Sequence, residues 1–149
     1  MFDSFVGNSI NISILIPLIP MGMALFILIL LVSFNRTINR LTKPVSALAV
    51  FSLLSSALIS AFLYLKKIEG EVFLSDYLKF FGSTNLILHL NSLTEKIVIF
   101  FAIIIAIVIG VLFYKLPRRK GYVSLIIGIS LISSSIMFAV FFLDFSVLI

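Results

Sequence analysis

Four long apolar runs, roughly residues 12–33, 45–65, 97–114 and 122–143, occupy most of this chain, and none of them carries a charged residue. A hydrocarbon core about 30 Å thick takes about 20 helical residues to cross, which each run approaches or exceeds. The sequence therefore predicts an all-α integral membrane protein with four transmembrane helices, forming a single membrane domain over residues 1–149. The absence of charge constrains function as well as fold. Transport and proton chemistry inside a bilayer usually need ionisable groups at depth, and such groups are costly enough to mark function. A chain with none in its spans is expected to do little chemistry alone.

Hydrophobic residues make up 62% of the 149 positions, a share that would leave a soluble domain with large exposed apolar patches. The lipid bilayer is the partner that fits. The chain has no cysteine, which removes disulfides, thiol catalysis and cysteine-ligated metal. Its net charge of +5 does not point to nucleic acid, because the bases sit in short connections between the apolar runs. Only Asp3 is charged before the first run, and no positively charged leader precedes it. The first span is therefore expected to be retained rather than cleaved as a signal peptide.

The connections set a topology. Residues 34–44 carry Arg36, Arg40 and Lys43 without an acid, and residues 115–121 carry Lys115, Arg118, Arg119 and Lys120 without one. The middle segment, 66–96, balances Lys66, Lys67, Lys79 and Lys96 against Glu69, Glu71, Asp76 and Glu95. Short base-rich loops stay on the cytoplasmic side, or on the equivalent side of an organelle membrane. The termini and the middle segment are then extracytoplasmic or lumenal. Tyr64, Tyr114 and Tyr122 fall at span ends, where a ring with a polar tip suits the interface. Pro17 and Pro20 open or kink the first helix, which is tolerated where neighbouring helices satisfy the freed carbonyls. Pro44 and Pro117 occupy boundary positions.

In the middle segment, residues 71–81 suit a short interfacial helix or strand and residues 86–90 read as a strand. The turn signal Gly82-Ser83-Thr84-Asn85 places a small β-hairpin between them. Small residues recur every four positions at Ser52, Ser56 and Ser60 on the second span, with Ala49, Ala57 and Ala61 nearby. On the fourth, Ser124 and Gly128 share that spacing, as do Ser135 and Ala139. Such faces let helices approach closely and let hydroxyls bond across the gap. They serve either as packing among these four helices, the simpler reading, or as a docking face for a larger assembly.

No glycine-rich phosphate loop, metal-ligand spacing or nucleophile–base pair is present, so no catalytic, cofactor-binding or metal-binding residue is assigned. His89, the single histidine, has the chemistry of a proton relay or metal ligand but no second ligand near it in sequence, and reads as an interfacial residue. Asp144 reads as a solvated helix-end carboxylate rather than the mouth of a proton path. Glu95 and Lys96 read as capping or pairing groups at the start of the third helix. Lys66 and Lys67, with Glu69 and Glu71, read as a solvated helix end. Arg118, Arg119 and Lys120 are explained by topology, with anionic headgroup contact an added expectation.

From about residue 15 onward the order of features resembles the N-terminal region of subunit 5, the largest antiporter-like subunit of the proton-pumping NAD(P)H-quinone oxidoreductase (complex I). The segments that carry the likeness are Leu15-Ile16-Pro17-Leu18-Ile19-Pro20, Ser33-Phe34-Asn35, Leu90-Asn91-Ser92-Leu93-Thr94, Gly121-Tyr122-Val123 and Ser133-Ser134-Ser135-Ile136-Met137. The cyanobacterial and plastid versions look nearest. The resemblance implies an outer N-terminus and an outer hairpin, matching the loop charges, and a bacterial plasma or thylakoid membrane. Two departures limit it. Asn91 stands where the family has Asp, and the chain ends before the helix with a Trp-Glu pair and the antiporter core whose glutamate, lysines and broken helices are associated with proton movement.

The expected function is thus a short subunit-5-like membrane-arm component, structural or assembly-related, with other membrane subunits of a quinone oxidoreductase-like complex as partners. It is expected neither to oxidise NAD(P)H nor to move protons alone. A small four-helix transporter or channel acting as an oligomer is the alternative. Proton coupling would then require a membrane-embedded carboxylate, whereas every acid lies outside the four apolar runs. An accessory or assembly factor of another membrane complex is the third reading.

Overall fold

The structure is a computed structural model that describes residues 11–73, 87–116 and 121–143. The four spanning helices are α1 (Leu15–Ser33), α3 (Thr42–Lys66), α4 (Ser92–Lys115) and α5 (Tyr122–Phe142); a single short turn of helix, α2 (Asn35–Ile38), follows α1. Two four-residue strands, β1 (Gly70–Phe73) and β2 (Ile87–Leu90), separate α3 from α4. At 1.5 Å per residue the spanning helices are roughly 28–38 Å long, enough for the hydrocarbon core. All four are long and apolar enough to cross a membrane, and the chain is an all-α integral membrane protein.

The bundle is thin, so each helix gives one narrow stripe to the interior and the rest to lipid. Phe26, Ile29, Phe51, Leu58, Phe100, Ile107 and Ile132 are all more than half exposed. In water such a surface would aggregate; in hydrocarbon it is the solvated face. Helix α3 shares its largest interface with α4, while α1 lies against both α3 and α5. The interior is built from small and β-branched residues, including Ala24, Ala49, Ala57, Ala102, Ala106, Val98 and Ile109, closed at one end by Phe141. Without a hydrophobic force between helices in lipid, close approach of small residues supplies the packing.

The ends of α3 and α4 have local causes. Helix α3 begins at Thr42, three residues before the apolar run, because Pro44 lies in the first turn, where its missing N–H has no helical carbonyl to serve. It ends on Lys67, a left-handed residue with φ 51°. The Lys67 amide bonds the carbonyl of Tyr64 at 3.1 Å and the Ile68 amide that of Leu63 at 3.2 Å, with Ile68 and Leu63 both buried. This is the Schellman arrangement, here with lysine at the position glycine usually takes. Helix α4 begins at Ser92, five residues earlier than the apolar run, because the amide of Asn91 donates to the Thr94 hydroxyl at 2.9 Å.

The strands pair antiparallel in the register Gly70↔Leu90, Glu71↔His89, Val72↔Leu88 and Phe73↔Ile87, so the hairpin expected between the second and third spans is present. Its expected turn, Gly82–Asn85, lies outside the described residues. Leu88 and Leu90 are buried while Ile87 and His89 are half-buried, the period-two alternation of a strand with one packed face. That strand lies against α5 and α4.

Candidate functional site

Proline leaves one carbonyl inside the bundle without its helical donor. Pro20 has no amide hydrogen, so the carbonyl of Ile16, four residues earlier, loses its helical donor. The hydroxyl of Ser56 on α3 crosses the interface and donates to that carbonyl at 2.7 Å. One residue on, the carbonyl of Pro17 accepts from the Ser134 hydroxyl of α5 at 2.8 Å. Pro17 likewise cannot donate to Ser13, whose carbonyl accepts instead from the Ile16 amide at 3.1 Å. The proline-broken start of α1 is thus stitched to two other helices. A third link joins α3 to α5 near the opposite end, where the Ser46 hydroxyl and the Tyr122 phenol lie 2.9 Å apart. Ser46 also donates to the Thr42 carbonyl at 2.8 Å.

The second polar locus lies where α3 and α4 meet at the hairpin end. A cleft of about 480 Å³ there is lined by Tyr64, Leu65, Lys67, Glu69, Ser92 and Glu95. Glu95 is 1% exposed, and its Oε1 has no hydrogen-bond partner. Ser60 reaches the same residue but donates to its main-chain carbonyl, at 3.1 Å. Lys96 holds its ammonium 5.2 Å from the centre of the Tyr64 ring, a cation–π distance. A carboxyl oxygen buried without a partner is costly, and such a group in a cleft is where binding or proton chemistry is sought first.

The remaining sequence candidates separate clearly. His89 sits directly across the hairpin from Glu71, its Nδ1 3.4 Å from Glu71 Oε1. Among the described residues no three His, Asp or Glu side chains gather as a metal site would require. Lys66, Lys67, Glu69 and Glu71 are exposed at and beyond the end of α3. Asp144, Arg118, Arg119 and Lys120 lie outside the described residues. Asn91 starts α4 through its backbone, and Glu95 does not cap that helix with its side chain.

Three expectations need correction. The acids do not all lie outside the spanning helices, because α4 extends to Ser92 and takes Glu95 into its first turns, against α3. The serine row Ser52, Ser56 and Ser60 is buried as expected, but the small-residue pairs of the fourth span do not pack among these four helices. Ser124, Ser135 and Ala139 are exposed, and Ser130, Ser133 and Ser134 are the buried ones. A spacing of four identifies a stripe but not which stripe faces inward. Tyr122 is 5% exposed and bonded to Ser46, so it is an interior residue, unlike Tyr114, which is 88% exposed.

Glu95 was the residue the sequence concealed, although a signal existed. Val98, Ala102, Ala106 and Ile109 follow it at three, seven, eleven and fourteen positions, which is one helical face, and all are buried. Extending that small-residue stripe back one turn lands on Glu95. No protein-family model matches the chain, and no curated protein or solved structure matches it either.

Proposed function

We propose that this chain is a structural component of the membrane arm of a NAD(P)H-quinone oxidoreductase-like complex, a subunit-5-like helix bundle that packs beside the subunits carrying redox and proton-transfer chemistry. The observation that carries this reading is the stitched start of α1. The segment Leu15–Pro20 is one of those resembling the subunit-5 family, and its carbonyls at Ile16 and Pro17 are held by Ser56 and Ser134 of two other helices. Such bonds fix helix position in a bilayer, and fixed helices with wide apolar outer faces suit a scaffold that seals against neighbours. The membrane is a bacterial plasma or thylakoid membrane, with both termini and the hairpin on the outer or lumenal side. Isolation of the tagged chain from native membranes tests the reading. Migration with quinone-oxidoreductase subunits on native gels is expected, and its consistent absence from such complexes would overturn the assignment.

A second reading is favoured by one specific observation, the burial of Glu95 inside a spanning helix. A proton-coupled four-helix transporter acting as an oligomer needs such a carboxylate. Proteoliposomes containing the chain alone separate the two. The scaffold reading expects no proton or sodium flux above empty vesicles. The transporter reading expects flux that Glu95→Gln abolishes.

A further inference from the structure

At the end of the bundle that bears the basic connections, two cavities meet at one side chain. An apolar groove of about 380 Å³ runs between the start of α3 and the end of α4, walled by Ala47, Phe51, Gly110 and Phe113 with Tyr114 beside them. The small side of Ala47 and the bare backbone of Gly110 leave the space. Phe51 and Tyr114 are 70% and 88% exposed, so the groove opens sideways into hydrocarbon. A second, more polar cleft of about 430 Å³ is lined by Asn39, Arg40, Thr42 and Lys43. Lys43 lines both.

We propose that this composite site holds an anionic phospholipid, with an acyl chain in the groove between α3 and α4 and the phosphate on Lys43 and Arg40. The order of the two cavities matches the order of the two halves of a phospholipid. Because the groove opens on the lipid-facing side of two spanning helices, its occupant arrives from the bilayer. Lysine suits the junction, since its stem lies along apolar surface while the ammonium reaches the headgroup layer. Arg36, Arg40 and Lys43 stand in residues 34–44 with no acid to neutralise them, and clustered bases at a membrane surface attract anionic headgroups. A zwitterionic lipid fills the groove equally well but leaves that positive charge unmatched. The site is independent of the quinone-oxidoreductase reading, requiring only that α3 and α4 lie in a bilayer.

The test reconstitutes the full chain in nanodiscs of equal phosphatidylglycerol and phosphatidylcholine and weighs the ejected protein by native mass spectrometry. Retention of phosphatidylglycerol in preference to phosphatidylcholine is expected, and Lys43→Gln is expected to lower that preference about five-fold. Gly110→Leu addresses the groove separately. A Cβ at Gly110 meets nothing within 4 Å, so the leucine enters the groove without displacing backbone, and loss of both retained lipids with unchanged helicity is expected. An unchanged lipid ratio in Lys43→Gln together with Arg40→Gln would overturn the headgroup assignment. Undiminished lipid in Gly110→Leu, or a lipid-free dimer in the wild-type chain, would overturn the groove assignment, the latter making it a protein–protein contact.

Discussion

Ser56 and Glu95 are buried to the same degree, 0% and 1% exposed, and they sit in the same four-helix bundle with opposite outcomes. Ser56 donates to a carbonyl that Pro20 has deprived of its own donor. Glu95 buries an oxygen with no partner. Burial does not distinguish them; the supply of a complementary group does. Along α1 the sequence creates an orphan acceptor at Ile16 and places the Ser56 hydroxyl opposite it. At the mouth between α3 and α4 it places an acceptor, and the hydroxyl that comes near, that of Ser60, goes to the main-chain carbonyl of Glu95. In the seam the Ile16 carbonyl is satisfied, and in the cleft the Glu95 carboxyl oxygen is not.

The largest effect is expected where the partner is missing. An unsatisfied buried polar group costs about 1–3 kcal/mol, more if charged, so Glu95→Leu should stabilise the bundle by about that amount. Reversible unfolding in bicelles measures it. Loss of stability instead would show that the carboxyl gains a partner in the membrane, and the contrast with Ser56 would collapse.

The seam makes the next prediction. Ser56→Ala leaves the Ile16 carbonyl without a donor and should destabilise by about 0.6–1.7 kcal/mol, from the average to the largest value measured for interhelical hydrogen bonds in a membrane. Pro20→Ala restores an amide hydrogen four residues after Ile16. In that background the loss from Ser56→Ala should shrink toward zero, a coupling that a double-mutant cycle reads directly. Equal losses in both backgrounds would mean that Ser56 acts by packing and not by closing the carbonyl.

How far this was legible follows from the same physics. Length and apolarity place the four spans, because the bilayer imposes both, and the paired strand segments flanking the middle turn signal are likewise readable. Helix ends were less so. The Thr94 hydroxyl and the Lys67 turn act through local hydrogen bonds that hydropathy does not register, and the first of these is why α4 reaches back over Glu95. The prolines announce that carbonyls are freed, but not that Ser56 meets the one at Ile16 or that Ser134 bonds the neighbouring Pro17 carbonyl, since that depends on the rotation of three helices. On α5 the same dependence decides that Ser130, Ser133 and Ser134 face inward while Ser124 and Ser135 face out.

A smaller effect is expected at the other end of the seam. Tyr122→Phe removes the phenol but leaves Ser46 its bond to the Thr42 carbonyl, so no buried group is orphaned. A loss near about 0.6 kcal/mol is expected, and Ser46→Ala should add little to it. If Tyr122→Phe cost more than Ser56→Ala, helix position would be set by the Tyr122 end rather than by the prolines.

The smallest effect belongs to the pair that looks most ionic. His89 and Glu71 face each other across the hairpin at 3.4 Å, but Glu71 is 54% exposed and His89 23%. An exposed pair of this kind is worth at most about 1 kcal/mol even with the imidazole charged, and commonly nothing measurable. Glu71→Gln should therefore change stability by less than about 0.5 kcal/mol, and any effect should fade as salt is raised, because water screens it. The buried hydroxyl–carbonyl bonds of Ser56 and Ser134 carry no net charge and lie away from water, so the Ser56→Ala loss should be insensitive to the same salt. Measuring both variants at low and high ionic strength separates a bond that positions helices from a contact that decorates the hairpin. A salt-resistant loss in Glu71→Gln would move that pair into the structural class.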